Sequence, residues 1–422
     1  MVIQSKKHLI KRAWSALGPG VITGAADDDP SGIATYSIAG AQLGTSLLWT
    51  AWLTWPLMAS VQMMCARIGM VTGRGLTAAL RRKLPRPLLI SASVALLAAN
   101  TLNIGADLAA MADAAELLTG WNSHFFVIVF AVGISWVTVQ LSYRHIAGIL
   151  KWLVFALFAY VVTAFYVGPD WKSVLYDTFH PGMPRGSETW SALVAILGTT
   201  ISPYLFFWQT AQEVEEEKCL GRLTPAQRRG ASTDEVLDRV FDVGIGTFFS
   251  NVVMFFIILT TALTLNRHGI THIETSAQVA KALEPLAGRF AKLLYMLGLL
   301  GTGLLAIPTL TGSAAYALSE TFAWRPGLDA KLRKAKPFYA VILLSTLVAV
   351  IFDFADFNPV KALYWSAVLN GLLAPFLLIG ILMVASDEKL MQGQPSSILN
   401  RLVVALTTLI MFGAALGMFV FV

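Results

Sequence analysis

Charge is scarce in this chain. Only 13% of its 422 residues are Asp, Glu, Lys or Arg, about half the share of an ordinary soluble domain, while 56% are hydrophobic. A large solvated surface is thereby excluded, and a separate soluble domain with it. Cysteine is nearly absent too: Cys65 and Cys219 are too few for a disulfide framework or a thiolate metal cluster. Histidine is sparse, and the one helical pair, His268 and His272, lacks the glutamate of zinc hydrolases and sits among Arg267, Gly269 and Thr271 in an expected outer loop. No phosphate loop exists, because Gly301-Thr302-Gly303 is short, embedded in apolar sequence and not followed by Gly-Lys-Thr. With no catalytic motif left, no enzymatic activity and no cofactor are expected. The net charge of +6 does not mark a nucleic-acid binder either, since the basic residues cluster between apolar runs. Nor is the amino terminus a cleavable signal, because aspartates interrupt the apolar stretch that follows Lys6, Lys7, Lys11 and Arg12.

What the chain does contain is membrane-spanning sequence. A helix needs roughly 20 apolar residues to cross a bilayer. Apolar windows lie at about 16–40, 46–66, 88–112, 122–142, 146–168, 190–212, 240–264, 290–318, 338–355, 361–385 and 400–421, which makes eleven. With a cytoplasmic amino terminus, 24 of the 31 basic residues fall in inward segments, as the positive-inside tendency requires. The expectation is an all-α, multi-pass protein of the inner (plasma) membrane, residues 1–422 forming one transmembrane domain, with the carboxyl terminus external.

Two windows carry breaks. The first holds Gly18-Pro19-Gly20 and then Asp29-Pro30-Ser31-Gly32; the sixth holds Gly198-Thr199-Thr200-Ile201-Ser202-Pro203. They stand five spans apart, which predicts an inverted 5+5 repeat, about 12–168 against about 188–385, with an extra helix at about 400–421 and a substrate site where the broken helices meet.

Asp27, Asp28 and Asp29 lie inside an apolar segment, where burying a carboxylate costs several kcal/mol unless a proton, cation or hydrogen bond offsets it. Pro203 has no N–H, so carbonyls at Thr199, Thr200 or Ile201 lose their helical partner and become free to bind a cation. The side chains at both breaks are Asp, Ser, Thr and Tyr204, a set of oxygen donors suited to Mg²⁺, Ca²⁺ or Mn²⁺. Met58, Met63 and Met64 lie on another span and read as packing. Asn100, Asn103 and Asp107 share one face of the third span, and Gln209 and Glu213 one face of the sixth; both stripes suit either a proton or polar pathway or bonding between helices. Glu213, Glu215, Glu216 and Glu217 are expected to run into a solvated loop.

The stretch from Gly18-Pro19-Gly20 through Asp29-Pro30-Ser31-Gly32 to Ala39-Gly40 resembles the first span of the Nramp family of divalent-metal transporters, and the eleven spans and the sixth-span break around Ser202-Pro203-Tyr204 are similar as well. The resemblance implies a LeuT-like fold and metal uptake toward the cytoplasm. It places the ligating acid on Asp29, the family's asparagine ligand on Gly32, its methionine on Ser202, its sixth-span histidines on Tyr204 and Gln209, and its backbone carbonyl ligand on Thr199. Of a third-span pair of acids only Asp107 remains, Ala110 replacing the other. Without thioether or asparagine, the chain resembles most closely the divergent branch of Nramp-related magnesium transporters, in which proton coupling is weak or absent.

The function expected is alternating-access transport of Mg²⁺ or Mn²⁺, as cargo rather than cofactor, without obligatory proton coupling. The metal set is Asp29, Thr199, Ser202, Asp28, Gly32 and Tyr204; Asp107, Asn103, Gln209 and Glu213 form the proton or polar pathway. The alternatives are a proton-coupled transition-metal symporter and an amino-acid or organic-cation symporter on the same scaffold. The expected partners are the bilayer and the ion, with no obligatory protein partner.

Overall fold

The computed structural model describes residues 18–140, 155–182, 186–328, 330, 332–355 and 358–421. The basic residues Lys6, Lys7, Lys11, Arg12, Arg144, Lys151, Arg185 and Lys331 lie outside these, as does the first part of the fifth apolar window. Every regular element among the described residues is helical.

The first window forms two helices, α1 (Pro19–Asp27) and α2 (Pro30–Leu43), and the second forms α3 (Trp49–Thr72). After a single turn at Leu76–Leu80 come α4 (Arg86–Thr119), α5 (Ser123–Gln140), α6 (Phe158–Val167) and α7 (Trp171–Phe179). The sixth window again forms two helices, α8 (Ser187–Thr200) and α9 (Pro203–Cys219). The remaining long helices are α10 (Thr233–Thr264), α11 (Ala291–Thr321), α12 (Lys336–Asp353), α13 (Pro359–Ala385) and α14 (Ile398–Val420). Eight helical stretches among the described residues are long and apolar enough to cross a bilayer, which makes this a multi-pass membrane protein. Exposed Val132 and Trp136 on α5, Leu344 and Ile351 on α12, and Leu409 and Leu416 on α14 give it a surface suited to lipid.

Several helices outrun their apolar windows. α10 starts at Thr233 rather than about 240 because a capping box begins it: the Ser232 hydroxyl accepts from the Glu235 amide while the Glu235 carboxylate accepts from the Ser232 amide. At the end of α9 the expectation of a solvated acidic loop is overturned. Glu213, Glu215, Glu216 and Glu217 are all helical, and Glu213, Glu215 and Glu217 are buried. Each has a cationic partner: Arg239 for Glu213 and Glu216, Lys218 for Glu215 and Arg222 for Glu217, which offsets the cost of burial.

The packing is reciprocal. Helices α1 and α2 lie against α10, the helix after the second broken segment, and α9 lies against α3, the helix after the first. Likewise α5 rests on α4 as α12 rests on α11, and α4 and α11 pack on each other. Such exchange of partners is what an inverted repeat produces. Two glycine pairs permit close crossings. Gly24 meets Gly246 where α1 crosses α10, and Gly198 meets Gly371 where α8 crosses α13; a Cβ on any of the four would overlap the opposing backbone.

Candidate metal site at the helix breaks

Pro30 occupies the first turn of α2, where its missing N–H costs nothing to that helix but deprives the Ala26 carbonyl of a donor. The Tyr204 hydroxyl of α9 donates to this carbonyl at 2.8 Å. Asp29 is extended and caps α2: one carboxylate oxygen accepts from the Gly32 amide and the Ser31 hydroxyl, both at 2.7 Å. Its other oxygen accepts from Asn103 Nδ2 of α4 at 3.2 Å and lies 3.4 Å from the Tyr204 hydroxyl, whose one proton serves either it or the closer Ala26 carbonyl. Three separate helices therefore hold one buried carboxylate.

The second break lies alongside. Pro203 opens α9 and leaves the Thr199 carbonyl without its helical donor. The Thr199 hydroxyl is 3.4 Å from that of Ser31, and Tyr36 meets the Thr200 hydroxyl at 3.1 Å, so α2 and the end of α8 touch through oxygen atoms. A Cβ on Gly32 would lie 3.3 Å from the Asp27 carbonyl oxygen and 3.4 Å from the Thr199 hydroxyl, so any side chain at this position would enter the space between the breaks. Ser202 is engaged elsewhere: its hydroxyl donates to the Gly198 carbonyl at 2.7 Å, closing the end of α8.

The three consecutive aspartates part company. Ser250 of α10 is 2.6 Å from an Asp27 carboxylate oxygen and 3.2 Å from one of Asp28, and its single hydroxyl proton serves one of them at a time. Asp28, expected beside Asp29, thus shares its donor with Asp27 instead. On the other side, Asn103 Nδ2 is also 3.3 Å from Asp107, and the Ser366 hydroxyl of α13 donates to Asn103 Oδ1 at 2.6 Å. With its carbonyl so occupied, the amide presents its N–H groups to Asp29 and Asp107 together. Asp27, Asp28, Asp29 and Asp107 form no ion pair with a basic side chain among the described residues.

Gln209 and Glu213 belong to a different assembly. The Thr23 hydroxyl donates to Gln209 at 2.5 Å, and Gln209 donates to Glu213 at 2.7 Å. Arg239 pairs with Glu213 at 2.9 Å, with Asp242 at 2.5 Å and with Glu216. The Asp242 carboxylate then accepts from the amides of Gly18, Gly20 and Val21 at 2.7–3.1 Å, capping α1 from outside. Ser250, Arg239, Asp242 and Ser366 carry no motif in the sequence; Arg239 and Asp242 stand three apart on one helical face, but Arg239 counts there only among the inward charges and Asp242 falls inside an apolar window.

Around Asp29 every donor is oxygen or amide, which suits hard and borderline divalent cations. Among the described residues no three His, Cys, Asp or Glu side chains converge as a metal cage. Residues 20–421 match the family described as natural resistance-associated macrophage protein-like, Nramp. The chain belongs to the Nramp family. It is 25% identical over 414 residues to the divalent metal cation transporter MntH of Yersinia pestis, covering 95% of this chain and 94% of that one. The manganese transporter of Eremococcus coleocola superposes with a TM-score of 0.69 at 18% identity, covering 98% of this chain and 89% of the other. Mhp1, a nucleobase-cation-symport-1 transporter, superposes at 0.57 with 14% identity over 96% and 92% of the two chains. The Nramp fold here is thus LeuT-like, and the protein is a transporter rather than an enzyme.

Proposed function

We propose that this Nramp protein carries divalent metal ions across the membrane by alternating access, in eleven spans, with Asp29 and the Thr199 carbonyl as primary ligands and Tyr204 holding the first break in place. The observation that carries the reading is a buried carboxylate at one helix break, with no basic partner among the described residues, beside a carbonyl released by the other. Of the expectations drawn from the sequence, the proton-coupled transition-metal symporter is the better supported, because the relatives above are named for divalent metal cations and for manganese. The unpaired acids point the same way: when no metal is bound, protons are the available counter-charge for Asp29 and for Asp107 across the shared Asn103 amide. Gly32 and Ser202, in place of an asparagine and a thioether, support a divergent member with broadened preference, in which Mg²⁺ competes with Mn²⁺ more effectively than at a sulfur-containing site.

The test is flux in liposomes with the voltage clamped by potassium and valinomycin. Inward Mn²⁺ movement with matching acidification of the lumen, inhibited by excess Mg²⁺, is the expected result; metal entry without acidification would return the uncoupled reading to first place. The proposed orientation is checked with Cys219, which is exposed in an inward segment while Cys65 is buried. In intact cells a membrane-impermeant maleimide should leave it unlabelled until the membrane is opened.

A further inference from the structure

Three loops meet at the end of the molecule that holds the inward charges. The turn after α3 and the loop before α10 are tied together by Gly230 N–H to the Val71 carbonyl at 2.9 Å and by Arg228 Nε to the Gly73 carbonyl at 3.2 Å. The loop between α13 and α14 joins them through Gln394, which exchanges two hydrogen bonds with the Ala231 backbone and accepts at its own carbonyl from Arg67 Nε at 3.1 Å. An ion pair of Lys83 with Asp387 closes the other side.

The knot creates a notch lined by Arg74, Arg82 and Arg229, with Thr72, Ala79 and Leu390 beneath. None of the three arginines forms an ion pair among the described residues, and two of them, Arg82 and Arg229, are exposed. Burial, then the charges of Arg82 and Arg229, pull the Arg74 guanidinium below its usual pKa, against an opposing pull from Glu320. The Glu320 carboxylate is engaged with the Ala78 amide at 3.1 Å. Like charges gathered by three interlocked loops, with no carboxylate among them, are unfavourable unless an anion joins them. Guanidinium forks match the tetrahedral oxygens of a phosphoryl group, and Thr72 ends α3, the second of the eleven proposed spans, an arrangement that sets the notch at headgroup depth.

We infer that Arg74, Arg82 and Arg229 form a binding site for a phosphoryl group, carried by the headgroup of an anionic lipid. The site is separate from the helix breaks, and the inference does not depend on which ion is carried. The test uses the full chain in neutral detergent, with thermal unfolding followed as phosphatidylglycerol, phosphatidylcholine or inorganic phosphate is added. Phosphatidylglycerol should raise the unfolding temperature saturably where phosphatidylcholine does not. The double variant Arg82→Ala/Arg229→Ala should need roughly 100-fold more lipid, about tenfold for each charge-assisted contact, and Arg229→Gln alone about tenfold more. Arg325→Ala removes an exposed charge outside the notch and should change nothing. If inorganic phosphate stabilises the protein as well, with the same dependence on the arginines, the site stands and its ligand is a soluble phosphate. No stabilisation by either compound, or one that the double variant and Arg229→Gln both retain in full, overturns the proposal.

Discussion

Two groups of acids sit about the same first helix and are handled in opposite ways. At the start of α1, Glu213, Glu216 and Asp242 share the guanidinium of Arg239, and Asp242 also takes three backbone amides, so each of these acids has a cation supplied by the protein. At the far end of α1, Asp27, Asp28 and Asp29, with Asp107 nearby, have hydrogen-bonding partners in Ser250, Ser31, Asn103 and Tyr204 but no basic side chain among the described residues. The first group has its cation within the protein. The second has none among the described residues, and that difference, rather than burial, is what sets the proposed metal site apart from the anchor.

The sharpest way to break this comparison is Asp29→Ala. Metal flux in liposomes should vanish, and so should thermal stabilisation by Mn²⁺, while the metal-free protein loses no more than the helix cap, about 1 kcal/mol. A variant that still transports would remove Asp29 from the site. Arg239→Ala should do the reverse, costing about 3–5 kcal/mol in chemical unfolding by stranding Glu213 and Asp242 without a partner; unchanged stability would show that the anchor is no anchor. Ser366→Ala frees the Asn103 amide to rotate away from Asp29 and Asp107, for which roughly tenfold weaker Mn²⁺ binding in calorimetry is expected, with folding unchanged. The smallest effect should follow Gly32→Asn, which adds an oxygen between the breaks against contacts of 3.3–3.4 Å. Discrimination between Mn²⁺ and Mg²⁺ in flux competition should shift a few-fold, about 1 kcal/mol, and a variant identical to the parent would show that position 32 does not face the ion.

The breaks were legible because proline and aspartate inside apolar sequence are costly and therefore informative. Pro30 and Pro203 do open new helices, and Asp29 and Thr199 do meet through Ser31. Side-chain allegiance was not legible. Ser202 stands where a ligand was expected, yet its hydroxyl turns to Gly198, four residues back, a local bond that competes with any more distant partner. Glu213 looked solvated because its partner Arg239 lies in a segment that hydropathy scores as loop.

The sequence by itself determined the membrane, the helices and the two places where they break, because these follow from local properties: apolar length, the missing N–H of proline, the cost of a carboxylate in hydrocarbon. Tertiary structure alone decided which acid keeps which partner. Asp27 and Asp28 share Ser250 while Asp29 takes Asn103 and Tyr204, and Arg239 gathers acids from two helices. A carboxylate is satisfied by whatever donor lies within about 3 Å, and residues more than 170 positions apart in the chain, such as Asp29 and Tyr204, reach that distance only once the helices have packed.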